Sequence, residues 1–111
     1  MINYNSKNER IKREYCRLLK EADQKSDATI DGIRKAILRF EQFSVFTDFA
    51  NFNSDQAIGF KKHLAACKAE RSGKPLSLAT VLSTVHAVQE FFRWLAREPG
   101  YKSKIRPSDI R

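Results

Sequence analysis

The residue types that most often carry chemistry are few in this sequence and widely spaced. His63 and Cys67 lie four residues apart, a spacing that brings two side chains together on one face of a helix. A cysteine beside a histidine can be activated as a nucleophile when a third group orients the base. The sequence supplies no such group, and its apolar pattern places Cys67 in the core. His86 stands apart from both residues, so we predict no Cys–His catalysis.

The surroundings of the tyrosines and the lack of known catalytic motifs also argue against catalysis. Tyr15 lies on a predicted core stripe, and Tyr4 and Tyr101 have no neighbouring cluster of arginine and histidine to activate a phenol. The sequence contains no glycine-rich phosphate loop, no GxSxG and no HExxH. We therefore predict a chain that is not an enzyme by itself and that uses no cofactor and no metal.

Composition narrows the class of protein further. The 111 residues are 41% hydrophobic, which is enough for one small core and too much for a disordered chain. Apolar runs are only a few residues long, so we predict neither a membrane span nor a signal peptide. Cys16 and Cys67 form no CxxC pair and are expected to be reduced. We expect a protein that works in the cytoplasm.

The basic charge of the chain is unevenly distributed. The net charge is +8, yet residues 21–60 hold four basic and seven acidic side chains. The excess is concentrated in three stretches, at residues 7–20, 61–74 and 93–111. Such clustering suits contact with phosphates, and nucleic acid is the commonest anionic partner of a basic domain. The alternative is that these lysines and arginines only keep helix surfaces soluble.

Helical periodicity predicts an all-α fold, a compact bundle of four main helices. The helices are expected over about residues 6–24, 27–44, 54–70 and 77–97. Ser26 or Asp27, Asn53 and Ser77 are the expected N-caps. The predicted apolar stripes are Ile11, Tyr15, Leu18 and Ala22; Ile30, Ile33, Ile37 and Phe40; Ala57, Phe60, Leu64 and Cys67; and Leu78, Val81, Val85, Val88, Phe92 and Leu95.

Phenylalanines at intervals of three follow the second helix, at Phe40, Phe43, Phe46, Phe49 and Phe52. A step of three cannot stay on one face of an α-helix, because each step falls about 60° short of a full turn. We therefore predict that the series continues from the second helix into a packed loop, with its rings in the core.

Three segments in order resemble one family of DNA-binding domains. The segment KPLSLATVLSTVHAVQEFFRWL has a loop, a serine cap and a helix that ends in FFRWL. Upstream, TIDGIRKAILRFEQF and FNSDQAIGFKKHL match the preceding helices. Together they resemble the SAM-like, N-terminal core-binding domain of tyrosine recombinases, the phage-type and Xer-type integrases. The resemblance covers about residues 5–98. It departs from the family in the phenylalanine-rich joint between the second and third helices, residues 45–53.

This resemblance implies half of a clamp around duplex DNA in integration and recombination. The other half would be a catalytic domain of the same protein, whose arginine, lysine, histidine and tyrosine constellation matches no position here. We expect residues 1–100 to form the core-binding domain and residues 101–111 to begin the linker to that domain. Further implied partners are other recombinase protomers on DNA, and the implied source is a bacterium, phage or mobile element with the protein on the nucleoid.

In the family, the second and fourth helices of this domain face the major groove. Carried over by position, the second helix offers Arg34, Lys35 and Arg39, which lie away from its apolar stripe. The alternative for Lys35 and Arg39 is a solvated surface without a ligand.

The fourth helix offers Ser77, Thr80 and Ser83 near its N-terminus, and Lys74 precedes them in the loop. Hydroxyl groups can bond to phosphates or base edges, and free N–H groups at a helix start attract anions. Ser77 has a second possible role, as a helix cap without a ligand.

Other classes of protein remain open. A helical protein-interaction module with a basic surface explains the four helices but not the basic stretches beside a hydroxyl-rich helix start. A helix-turn-helix repressor needs a turn of three or four residues, which the loop at 70–76 exceeds. A lipid-surface domain needs a helix that pairs a lysine-rich face with an aromatic one, and none is evident.

Overall fold

The computed structural model describes residues 5–66, 73 and 76–110. These residues form four helices and no strand, which confirms the predicted all-α class. α2 packs most extensively against α4, while α1 lies against α2, and α3 lies against both α2 and α4. The helices are α1 (Ser6–Glu21), α2 (Asp27–Phe43), α3 (Ser54–Ala66) and α4 (Leu78–Leu95), with short 3-10 turns at Phe49–Asn51 and Pro107–Asp109.

Each helix starts at a side chain that accepts a backbone N–H from three residues ahead. This bond satisfies one of the four N–H groups that a helix start leaves without an intrahelical partner. The caps predicted at Ser26, Asn53 and Ser77 are confirmed, and Asn5 adds a fourth. The bonds run from Asn8 N to Asn5 Oδ1 at 3.1 Å, from Thr29 N to Ser26 Oγ at 3.2 Å, from Gln56 N to Asn53 Oδ1 at 2.9 Å and from Thr80 N to Ser77 Oγ at 3.2 Å.

An aromatic cluster forms the centre of the core. The ring of Phe40 makes edge-to-face contacts with Phe60 at 5.2 Å and Phe92 at 5.1 Å, measured between ring centroids. Phe52 stacks on Phe92 at 3.9 Å. Aromatic pairs contribute about 0.5–1.5 kcal/mol beyond their buried area, so these contacts tie three helices and the joint together. The predicted burial is confirmed for Phe40, Phe49 and Phe52, whereas Phe43 and Phe46 are half-buried.

The chain reverses direction directly after α2. Val45 and Phe46 both adopt positive φ, at 55° and 57°, and the Phe46 N–H donates to the Glu41 carbonyl at 2.7 Å. Left-handed backbone is costly for a β-branched residue such as valine. The reversal takes the phenylalanine series out of the helix and folds it back onto α4 at Phe49.

The buried face of α1 differs from the predicted stripe. Tyr15 is buried as predicted, but Leu19 is buried in place of Leu18, which is half-buried, and Ala22 is exposed beyond the helix end. The predicted stripe is therefore wrong by one residue at its C-terminal end, a rotation of about 100°. The inward face begins with Asn8, a polar residue that an apolar pattern cannot reveal.

A buried polar network joins α1 to α2. The carboxylate of Glu41 is fully buried and receives hydrogen bonds from the ammonium of Lys12 and, at 3.5 Å, from Asn8 Nδ2. Burial raises the pKa of Glu41, and the bond from Lys12 counters part of that rise. Burial also lowers the pKa of Lys12, but its bonds to Glu41 and Glu9 outweigh burial, so the pKa of Lys12 is raised.

The segment after α4 packs against the core. Gly100 adopts a φ of 88° and turns the chain, after which Tyr101 and Ile105 are buried. The Ile105 N–H donates to the Tyr101 carbonyl at 2.8 Å, and the 3-10 turn at Pro107–Asp109 lies against α3. The boundary expected at residue 100 therefore runs through packed structure, and the core extends to at least Ile105.

Candidate nucleic-acid interface

A groove between α1 and α2 holds most of the basic side chains of these two helices. It consists of two adjoining cavities of about 440 and 520 Å³, which share Arg13, Asp31 and Arg34 in their walls. Six basic and three acidic residues line it, so the local charge is positive. The basic residues are Lys12, Arg13, Arg17, Lys20, Arg34 and Lys35, and the acidic residues are Glu9, Asp27 and Asp31.

The three basic residues predicted on α2 fall on two surfaces. Arg34 and Lys35 line the groove and are exposed. Arg39 is half-buried and does not line it. Five residues along an α-helix correspond to a rotation of about 140°, which carries Arg39 away from Arg34. The structure thus groups Arg34 with Lys35 and places Arg39 beyond the groove.

The hydroxyl groups predicted on α4 bond to one another and to the helix. Ser77 Oγ accepts from the Thr80 N–H and donates to Thr80 Oγ1 at 2.9 Å. Ser83 Oγ donates to the Thr80 carbonyl at 3.1 Å. The bond from the Thr80 N–H confirms the capping role of Ser77. Ser77 and Ser83 are exposed, and Thr80 is half-buried.

The predicted residues do not converge on one site. Ser77, Thr80 and Ser83 lie at the start of α4, and none of them lines the groove between α1 and α2. Lys74, the remaining candidate, lies outside the described residues, as does Cys67.

The sequence leaves two roles open for the basic residues of α1: contact with phosphate, or packing against an absent domain. Arg13, Arg17 and Lys20 share one face at spacings of four and seven residues, and this face lines the groove opposite Arg34. The spacing is visible in the sequence, but only the packing of α1 on α2 shows that it meets the basic side of α2.

In the parts of the chain that the structure describes, the histidines and Tyr15 lie apart from one another. Among the described residues, no three histidine, cysteine, aspartate or glutamate side chains could hold a metal ion. His63 is exposed beside the ring of Phe43, at 5.3 Å between ring centroids, and His86 is exposed on α4. Tyr15 is buried, and burial, followed by the charges of Glu90 and Asp23, raises its pKa to about 12. The phenol of Tyr15 is therefore neutral at physiological pH.

A second exposed surface is apolar. Leu78 and Leu82 lie one turn apart on α4, with 72% and 60% of their surfaces exposed. The predicted burial of Leu78 is therefore wrong: the buried face of α4 begins at Thr84, and Leu78 lies about 120° around the helix from it. Within the described residues, no helix has the length and apolar character needed to span a bilayer.

Comparison of the chain with models of protein families, with curated proteins and with solved structures found no match. The positive groove, the exposed start of α4 and the packed C-terminal segment are thus the features from which a function is inferred.

Proposed function

We propose that this chain binds duplex DNA as the core-binding domain of a tyrosine recombinase. The observation that carries the proposal is the groove between α1 and α2, where Arg34 and Lys35 meet the basic face of α1. Positive side chains gathered in one groove attract the phosphate backbone and displace its counterions, which drives binding to DNA. The resemblance of three segments to the family supports the same function.

In this proposal the chain supplies binding and a separate catalytic domain supplies strand cleavage. The two would enclose the duplex, in a recombinase of bacterial or phage origin that acts on the nucleoid. The segment 101–110, in which Tyr101 and Ile105 are buried, would then form the base of the connection between the domains.

Salt dependence of DNA binding tests the proposal. Fluorescence anisotropy would follow a labelled random-sequence duplex of about 20 base pairs, titrated with the protein across a salt series. We expect the affinity to fall log-linearly with salt concentration. The Arg34→Ala/Lys35→Ala variant, which removes both basic side chains of α2 from the groove, should bind all duplexes more weakly, with the salt slope reduced by about one to two. Absence of binding at low salt, or a double variant that binds like the parent, would contradict the proposal.

A matched control variant separates the effect of losing groove residues from the effect of lowering the net charge. Lys61 and Lys62 are exposed neighbours on α3, away from the groove. The Lys61→Ala/Lys62→Ala variant carries the same net charge as the α2 double variant, and its salt slope should stay close to that of the parent. Equal losses in both variants would show that binding depends on total charge alone.

The Thr80→Ala variant tests whether the start of α4 contributes to DNA binding. Thr80→Ala removes a hydroxyl that faces Ser77, and we expect modestly weaker binding with an unchanged melting temperature. A large fall in melting temperature would instead assign Thr80 to the stability of the helix start.

Leu78 and Leu82 favour one alternative function, a helical protein-interaction module. Large exposed apolar side chains one turn apart are typical of protein contact surfaces. Leu78→Gln/Leu82→Gln would abolish binding to a protein partner and leave DNA affinity unchanged. A parent protein that binds no duplex but associates with itself through these leucines would favour this alternative.

A further inference from the structure

The lysines of the α1–α2 groove are each held by a carboxylate. Lys35 Nζ lies 3.2 Å from Asp31, and Lys20 Nζ lies 3.3 Å from Asp27. Lys12 is bound more tightly, because its ammonium contacts Glu9 at 2.8 Å and the buried carboxylate of Glu41 as well. The acidic residues in the groove walls are therefore all engaged by lysines, so a ligand must compete with a carboxylate for each of these lysines.

The arginines of the groove differ in whether they are paired with a carboxylate. Arg17 is paired within its own helix, to Glu14 at 2.6 Å and to Glu21 at 2.9 Å. Arg13 and Arg34 are exposed, and within the described part of the chain neither forms an ion pair. These two arginines are also the basic residues common to both cavities of the groove.

We infer that Arg13 and Arg34, on opposite walls of this groove, form the seat for a backbone phosphate of the DNA. The inference rests on the proposed function and adds an α1 residue to an interface that the sequence assigns to α2 and α4. Guanidinium groups suit this task, since their planar N–H groups bind phosphate oxygens in a bidentate manner and are weakly hydrated.

The shape of the groove favours a polyanion over an acidic side chain. Its two cavities adjoin and share both arginines, so a continuous chain of charges can pass over the seat from one cavity into the other. A DNA strand presents such a chain of charges, whereas an acidic side chain presents a single terminal group.

The test compares single arginine variants of the full chain in the duplex anisotropy assay. Arg13→Gln and Arg34→Gln should each lower the salt slope by about 0.9, the value for one lost phosphate contact. When the salt concentration rises from about 50 to 200 mM, the affinity of the parent should therefore fall by a factor about 3.5 times larger than the affinity of each variant. Arg13→Lys should keep most of the slope, because the charge is retained.

Arg97→Gln is the matched control. Arg97 is also exposed and free of ion pairs among the described residues, but it lies after α4 and not in the groove. If Arg13→Gln and Arg34→Gln match Arg97→Gln in slope while the parent binds DNA, the phosphate seat is refuted and the proposed function stands. If the parent binds no duplex at any salt concentration but binds polyglutamate through Arg13, both are refuted in favour of an acidic protein ligand.

Discussion

The side-chain oxygen of Asn8 lies 3.0 Å from the backbone nitrogen of Phe49 and accepts its N–H inside the core. The amide nitrogen of the same side chain donates to the Thr47 carbonyl at 2.9 Å. A single residue of α1 thus satisfies two backbone groups in the joint between α2 and α3. The joint lacks the regular hydrogen bonds of a helix there, so Asn8 replaces them.

Asn8→Ala is expected to destabilise the protein strongly. The substitution leaves a buried N–H and a buried carbonyl without partners, at a cost of about 1–3 kcal/mol for each group left unsatisfied. We expect the free energy of unfolding to fall by about 2–6 kcal/mol in urea denaturation. Asn51→Ala, at an exposed asparagine of the same joint, is the control and should change stability by less than about 0.5 kcal/mol. Similar small losses in both variants would show that the bonds of Asn8 add nothing.

Lys12→Met tests the buried ion pair. It leaves the Glu41 carboxylate buried without its cation, which typically costs about 3–5 kcal/mol at neutral pH. Burial already raises the pKa of Glu41, and loss of Lys12 raises it further. The folded variant then binds a proton more tightly than the unfolded chain, so its stability falls as pH rises through the raised pKa.

The pH dependence separates this cause from lost packing. The stability deficit of Lys12→Met relative to the parent should shrink as the pH is lowered from 7 to about 4, because the raised pKa of Glu41 lets the folded variant take up a proton that removes the unpaired charge. Lys12→Met/Glu41→Gln should recover much of the loss at pH 7, because no buried charge remains. A deficit that is constant from pH 4 to 7 would assign the effect to the aliphatic stem of Lys12.

Local features of the fold were predictable from the sequence, and long-range polar contacts were not. The cap at Ser26 and the burial of Phe40 follow from neighbouring residues and from the helical period, so the sequence alone identifies them. The burial of Asn8 and Glu41 depends on a contact between residues 33 positions apart. No helical pattern carries that information, and hydropathy assigns both residues to the surface.

The candidate site likewise combines residues that the sequence identifies with residues that only helix packing brings into the groove. The basic character of Arg34 and Lys35 on the outer side of α2 is visible in the sequence, and the structure places both in the groove. Arg13 becomes part of that groove only through the packing of α1 against α2. The separation of Arg39 from Arg34 follows from their spacing of five residues, but only the packing of the helices shows that Arg34 is the one in the groove.

Ile105→Ala tests whether the C-terminal segment belongs to the folded domain. Ile105 is fully buried, and truncation of a buried isoleucine to alanine usually costs about 2–5 kcal/mol. We expect a loss in this range by urea denaturation, with a single cooperative transition. Lys104→Ala, at the exposed position before it, should leave stability unchanged within about 0.5 kcal/mol. A neutral Ile105→Ala would mean that the segment does not pack in solution.

Val45→Gly is expected to stabilise the protein. Val45 has a φ of 55° and is 81% exposed, so its side chain contributes backbone strain and little packing. The left-handed conformation costs a residue with a Cβ about 1–2 kcal/mol, part of which is offset by the greater freedom of glycine in the unfolded chain. We expect a gain of about 0.5–1 kcal/mol in thermal and urea unfolding. Gln42→Gly, in the last turn of α2, is the control and should destabilise by about 1 kcal/mol.

Asp31→Asn is expected to strengthen DNA binding. Asp31 lines both cavities of the groove, as Arg13 and Arg34 do, so its charge opposes a phosphate there, and it also holds Lys35. The substitution removes that charge and frees Lys35, so the salt slope should steepen by about 0.9 and the affinity at about 0.1 M salt should rise up to about tenfold. Asp55→Asn on α3 makes the same change in net charge away from the groove and should leave the slope unchanged. Equal effects of the two variants in the anisotropy titration would show that Asp31 does not weaken phosphate binding in the groove.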